Sequence, residues 1–283
     1  MTALGALARL APIRVQNLAL RWREERRLAR VAAVRCDVGT LAVLDAERVR
    51  QLLSNPAVDV EWAAVGPQIE RFGITAAAGG VNPGDRRALY YLVRGFRPER
   101  VLEVGTHIGA STVHIAAALR ANGNGDARHP ELVTVDIEDV NDPHRRPWER
   151  YGSRLAPREM VDRLGDSVAT RFVVRPSLEF LAQGGEAFDF IFLDGDHSAA
   201  TVYRELPAAL GRLRLGGVIL LHDYFPDGRP LWRGDAVIAG PWLGVERLRR
   251  EGARLEIVPL GALPWPTKHG STVTSLALVG RVP

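Results

Sequence analysis

A single cysteine, Cys36, stands in the 283 residues. That excludes an internal disulfide framework and any multi-cysteine zinc site. No apolar run approaches the roughly 18 residues of a membrane-spanning helix, so no membrane span is expected. Lysine is almost missing: Lys268 is the only one among 37 basic residues. The arginines are scattered and interleaved with 33 acids, so the net charge of +4 reads as compositional bias and no nucleic-acid partner is expected. The start lacks the apolar core and small-residue cleavage site of a secretory signal. Residues 1–23, with four arginines and no acid, resemble a transit peptide only weakly, and the cytoplasm is the expected location. With 46% hydrophobic and 25% charged residues, the composition is that of a globular protein. The length suits one large α/β domain with a modest appendage.

The first 75 residues read as helical: an arginine-rich amphipathic helix over Val15–Val34, a second near Asp45–Ser54 before Asn55-Pro56, and a third over Trp62–Phe72. They are expected to form a cap or an oligomerisation segment, with a homodimer as the expected assembly. Residues 76–83 are small and glycine-rich and read as a loop. The chain then changes character. Short apolar runs at Val101–Val104, Leu132–Ile137, Phe172–Val174, Phe188–Leu193 and Val218–Leu221 suit strands buried on both faces. Helical patterns at Asp85–Gly95, Ser111–Ala121, Arg158–Ala169, Leu178–Gln183 and Ala199–Leu213 flank or separate them. That alternation predicts an α/β domain over 76–283 built on a doubly wound, mostly parallel sheet. A helix over Trp242–Glu251 follows, then two strands, Leu255–Pro259 and Thr272–Val279, joined without a helix and so most easily antiparallel. The long connection at Asp139–Pro157 contains Trp148 and Tyr151 and has the length of a functional lid.

The most informative stretch is Val101-Leu-Glu103-Val-Gly105-Thr106-His107-Ile-Gly109-Ala-Ser111. A buried strand ends at Gly105 and a helix opens near Ser111, so glycines give a tight turn and the helix start offers free N–H groups. Such a turn lies beside the crevice where open α/β sheets bind ligands. The Gly-x-Gly-x-x-Gly of nicotinamide-binding folds is absent, which disfavours a dehydrogenase. Glu103 ahead of the turn would repel a pyrophosphate but suit a cation. Asp136 at the second strand tip can accept both hydroxyls of a ribose. A pocket for a positively charged nucleoside results.

These motifs resemble those of class I S-adenosylmethionine-dependent methyltransferases, over roughly the last 200 residues. Glu103-x-Gly105-x-x-x-Gly109 is similar to that family's first motif, and Asp136-Ile137 to the pair that holds ribose and adenine. The resemblance implies a Rossmann-like seven-stranded sheet with an antiparallel last strand. It implies S-adenosylmethionine bound by Glu103, Gly105, Thr106, His107, Gly109, Ser111, Asp136 and Ile137, with Ser177 near the adenine. Val81-Asn82-Pro83-Gly84-Asp85 resembles a segment that closes over the methionine part of the cofactor.

A second constellation follows. Phe188–Leu193 ends in Asp194-Gly-Asp196-His197, and Val218–Leu221 ends in His222-Asp223-Tyr224. Carboxylates and imidazoles at adjacent strand tips are costly unless paired or coordinated. The arrangement resembles bacterial small-molecule O-methyltransferases of the macrocin and cephalosporin-hydroxylase-like groups, and more distantly catechol O-methyltransferases. The resemblance implies a hydroxyl-bearing small-molecule acceptor and a metal, Mg²⁺ or another divalent ion, on Asp194, Asp223 and His222. His222 departs from the relatives' oxygen ligands and shifts the preference toward softer metals or none. With or without metal, Asp194, His197 and His222 are the candidate catalytic residues, an imidazole being able to take the hydroxyl proton; Asp194 and His197 also lie where they would border the cofactor. An N-methyltransferase and a non-catalytic cofactor-binding module are the rival readings.

Overall fold

The computed structural model describes residues 12–76, 80–123, 129–165 and 168–282. The opening of the arginine-rich segment, the centre of the glycine-rich loop and parts of two connections lie outside these residues. Seven strands form one sheet: β1 (Arg100–Val104), β2 (Glu131–Asp136), β3 (Ala169–Val174), β4 (Phe188–Leu193), β5 (Leu213–Leu221), β6 (Leu255–Pro259) and β7 (Ala277–Arg281). Their order is β3-β2-β1-β4-β5-β7-β6. The first five run parallel, and β7 lies antiparallel between β5 and β6. This is the expected doubly wound sheet with an antiparallel last strand.

The central strands carry apolar residues on both faces because both faces are covered. Val101, Phe190, Phe192, Val218 and Leu220 pack into the core on one face. Leu102, Val104, Val133, Ile191, Leu193 and Ile219 pack on the other. The covering helices are α4 (Pro83–Phe96), α5 (Ala110–Gly123), α6 (Pro157–Asp162), α7 (Ser177–Ala182), α8 (Ala199–Leu210) and α9 (Gly240–Arg250); α1 (Ile13–Leu28), α2 (Ala46–Leu53) and α3 (Pro56–Glu70) precede them.

Residues before the sheet share its two cores. Leu28 and Leu41 join one, and Val49, Leu53, Val58 and Ile69 join the other. Ala42 donates its N–H to the Gly217 carbonyl on β5 at 2.9 Å. Helix α1 ends at Leu28, short of the expected Val34, and packs on α8 and α9. Its Arg247 contacts explain the anchorage: that guanidinium donates to the Leu28 and Val31 carbonyls.

The register sets the site. Val104 pairs with Val135 on one side and Leu193 on the other, and Leu193 pairs with Leu221. The next residues continue the ladder: Gly105 N–H to Val135 O at 2.8 Å, Asp194 N–H to Val104 O at 2.9 Å, and His222 N–H to Leu193 O at 3.1 Å. Asp136, Gly105, Asp194 and His222 therefore leave the sheet at one level, where strand order reverses and a crevice opens.

Candidate active site

The first cavity lies over the tips of β1, β2 and β4 and has a volume of about 590 Å³. Gly105, His107, Asp136, Ile137, Ser177, Asp194 and His197 line it, all of them expected from the sequence. Gly105 has φ +98°, and a Cβ there would meet the Asp194 carbonyl oxygen at 2.2 Å, so only glycine lets β1 turn against β4. His107 follows in the left-handed region at φ +48°. Its N–H donates to Asp136 Oδ2 at 2.8 Å, and the Glu138 N–H donates to Oδ1 at 3.0 Å. Each carboxylate oxygen is thus held by one amide and keeps a lone pair for a further donor. Ile137 beside it is 76% exposed, an apolar side chain left open on the cavity wall. The His107 ring meets Tyr151 edge-on at 4.2 Å, which brings the long 139–157 connection to the cavity mouth.

Glu103, Thr106, Gly109 and Ser111 are not on this wall. Glu103 is fully buried and accepts from the Thr112 and Thr134 hydroxyls at 2.6 and 2.7 Å. Burial pushes its carboxyl up to about 7. Its carboxylate faces inward beneath the turn, because Glu103 sits one pleat below the exposed tip. Thr106 bonds Thr134, and Gly109 lies against Pro157. These residues shape the turn from beneath.

A second cavity of about 740 Å³ opens on the other side of the β5 tip. His222, Asp223, Phe225, Trp232, Asp235 and Lys268 are among its lining residues, and Gly80 borders both cavities. Lys268 Nζ sits 4.9 Å above the Trp232 ring and donates to Asp235 at 2.9 Å. His269 also lines this space.

Between the two cavities stands the second constellation. Asp194 and His197 face the first, His222 and Asp223 the second. His222 Nδ1 lies 2.8 Å from Asp194 Oδ1, and His197 Nε2 lies 3.6 Å from the same oxygen. Asp223 Oδ2 is 3.6 Å from both imidazoles. Asp223 is held at φ +53°, with Ser275 donating to its Oδ1; a non-glycine residue in that region is held there by its surroundings. Burial opposes a charge on His222, but Asp194 and Asp223 outweigh it and hold the imidazole well above its ordinary value.

Two supports were missed. Gly240 begins α9, and a Cβ there would fall 1.8 Å from the His197 carbonyl oxygen, so this glycine lets α9 press against the turn that aims His197. Asp85, on α4, is fully buried and faces His222 Nε2 at 3.5 Å. Asp85 and His222 lie far apart in the chain, and no local pattern joins them. In the sequence Asp85 stood out only as the end of Val81–Asp85, the segment that resembles a cover over the methionine part of the cofactor. Asn82 caps α4 by accepting from the Gly84 and Asp85 N–H groups. His114, by contrast, packs in the core: it stacks on Trp62, and its Nδ1 sits 2.6 Å from the Ala110 carbonyl.

The site thus combines a crevice at the switch point, a carboxylate at the second strand tip and a polar partition between two cavities. Residues 102–224 match the family model for a methyltransferase domain. In fold the chain is similar to a solved methyltransferase. It is 27% identical over 208 residues to a Mycobacterium sp. (strain JLS) protein assigned as an O-methyltransferase, covering 71% of this chain and 84% of that one. It is 26% identical over 155 residues to the catechol O-methyltransferase of Niastella koreensis, covering 53% and 61%. Among solved structures, the O-methyltransferase TomG of Streptomyces achromogenes, involved in tomaymycin synthesis and crystallised with S-adenosylmethionine, superposes with a TM-score of 0.51 at 18% identity. That match covers 86% of this chain and 92% of TomG.

Proposed function

We propose that the protein transfers a methyl group from S-adenosylmethionine, bound in the first cavity, to a hydroxyl of a small molecule in the second. The observation that carries this reading is the partition: two cavities meet at Asp194, His197, His222 and Asp223. The first cavity fits the cofactor. Asp136 keeps a lone pair on each oxygen for two ribose hydroxyls, Ile137 offers an apolar face for a flat ring, and Ser177 stands at the start of α7 nearby. When bound, S-adenosylmethionine supplies a methyl group activated by its sulfonium. The chain's part is to hold the acceptor oxygen in line and take its proton.

Two imidazoles stand where that proton leaves. His197 is the better base, because its side chain is 29% exposed whereas His222 is enclosed among carboxylates that keep it protonated. Asp194 and Asp223 orient His197 and stabilise the imidazolium that forms. The donor set also fits a divalent ion on Asp194, His222 and Asp223, since His222 Nδ1 lies 2.8 Å from an Asp194 oxygen and 3.6 Å from an Asp223 oxygen. Such an ion would lower the pKa of a bound hydroxyl. The relatives named O-methyltransferases agree with an oxygen acceptor. The test is release of S-adenosylhomocysteine across a panel of phenols, sugars and their amine analogues. Turnover with hydroxyl acceptors, lost in His197→Ala, supports the reading. Turnover confined to amines would replace it with N-methylation.

A further inference from the structure

We infer that the outer face of α1 is a docking surface for an anionic phospholipid bilayer. The inference does not depend on the chemistry at the partition. Val15, Leu18 and Trp22 follow the i, i+3, i+7 spacing that puts side chains on one face of a helix. They are 52%, 68% and 56% exposed. The opposite face holds α1 to the body of the protein. Asn17 donates to the Asp235 carbonyl and accepts the Val237 N–H, Glu24 accepts the Ala199 N–H, and Leu28 is buried in the core. The apolar stripe therefore points outward from a helix that is already formed and anchored, and a bilayer would not have to order it.

Charge decides the occupant. Glu24 and Glu25 are the only acids between Pro12 and Cys36, and they are taken by Arg27 and Arg21. Arg14, Arg23, Arg26 and Arg30 remain exposed, and no carboxylate among the described residues pairs with them. Arg26 continues the stripe one turn beyond Trp22, with its guanidinium 4.5 Å from the centre of that ring. Ahead of the helix the sequence carries Leu4, Leu7 and Leu10 and no acid, so it adds apolar side chains and no repulsive charge.

A helix with aliphatic and tryptophan side chains between arginines suits the boundary of headgroups and acyl chains. There the apolar residues sink about 5–10 Å and the guanidinium groups meet lipid phosphates. Tryptophan favours that depth, and arginine stems lie along apolar surface while their heads stay among the phosphates. The other occupants answer only half of the face. A two-fold second copy would set the same uncompensated arginines against a patch with no free acid. A nucleic acid would answer the arginines and leave Leu18 and Trp22 without a partner.

The test sediments the whole protein with vesicles of phosphatidylcholine alone and of phosphatidylcholine mixed with phosphatidylglycerol. Binding to the mixed vesicles and not to the neutral ones is expected, weakened roughly tenfold or more between about 0.1 and about 1 M salt. Leu18→Ser/Trp22→Ser is expected to weaken it roughly tenfold or more through lost apolar burial. Arg26→Gln/Arg30→Gln is expected to weaken it by a similar factor, roughly tenfold, through lost attraction to the phosphates. Both variants alter exposed side chains outside the two cavities, so S-adenosylmethionine affinity is expected to stay within about twofold, which shows the fold intact. Absence of binding to the mixed vesicles, or undiminished binding by either variant, would overturn the inference. A dimer in sedimentation equilibrium that falls to a monomer in Leu18→Ser/Trp22→Ser, without vesicle binding, would overturn it in favour of a second copy.

Discussion

Gly105 and Glu103 lie two residues apart and answer to different demands. Gly105 is fixed by backbone geometry, at φ +98° and with the Asp194 carbonyl where a Cβ would be. Gly105→Ala is expected to cost roughly 2–3 kcal/mol or more, seen as a fall in Tm of about 5–10 °C. Glu103 is fixed by burial. Its carboxyl and that of Glu205, beside Ser177, are both pushed up to about 7 by desolvation. Each remains protonated in the folded chain after it has ionised in the unfolded one. Stability therefore falls as pH rises from the ordinary value of 4.5 to about 7, and levels off above. The double variant Glu103→Gln/Glu205→Gln should flatten that slope in urea unfolding measured across this range; an unchanged slope would show that other groups cause it. The motif containing Glu103 was legible in the sequence, but its direction was not. An acid before a glycine turn reads equally well as a ligand contact or as a support beneath the turn, and only the pleat of β1 decides.

Helix α1 is tied to the site at two points. Glu24 accepts the Ala199 N–H at 2.8 Å at the start of α8, two residues from His197. Asn17 donates to the Asp235 carbonyl and accepts the Val237 N–H, pinning the loop that walls the second cavity. Asn17→Ala is expected to raise KM for the acceptor several-fold and leave cofactor affinity within twofold. Equal loss of both would mean that α1 supports the fold as a whole. Most elements were legible because apolar runs of strand length stood between helical periods, and β4 and β6 begin and end as expected. The departures have local causes. The expected helix over Arg158–Ala169 stops at Asp162, and Ala169 instead opens β3 against Glu131. The expected last strand from Thr272 is regular only from Ala277; before it the hairpin continues through separate pairs, Leu260 N–H to Leu276 O, Thr274 N–H to Gly261 O and the Ala262–Val273 bridge, and its tip at Thr267–His269 reaches the second cavity.

Across the whole molecule, the strand tips place every group of the site at one edge of the sheet, and the resemblance read from two motifs carried that far. The sequence could not supply the partition. It arises from register, which sets Asp194 beside His222, and from tertiary contacts that bring Asp85, Lys268 and α1 to the same edge. No helix among the described residues is long and apolar enough to cross a membrane. Because the first cavity exists only in the folded chain, S-adenosylmethionine at 100 times its Kd should raise the unfolding free energy by about 2.7 kcal/mol, measurable as a shift of the urea midpoint. An unshifted midpoint at that ratio would mean the ligand binds both states alike.

Calorimetric titration of S-adenosylmethionine into the protein and into Asp136→Ala tests the central claim most directly. Asp136 is predicted to hold two ribose hydroxyls, each bond to a charged acceptor worth about 1.5–3 kcal/mol. The account therefore predicts saturable one-to-one binding, weakened roughly 100-fold or more in the variant. Absence of binding to the unaltered protein, or equal affinity in Asp136→Ala, would contradict it.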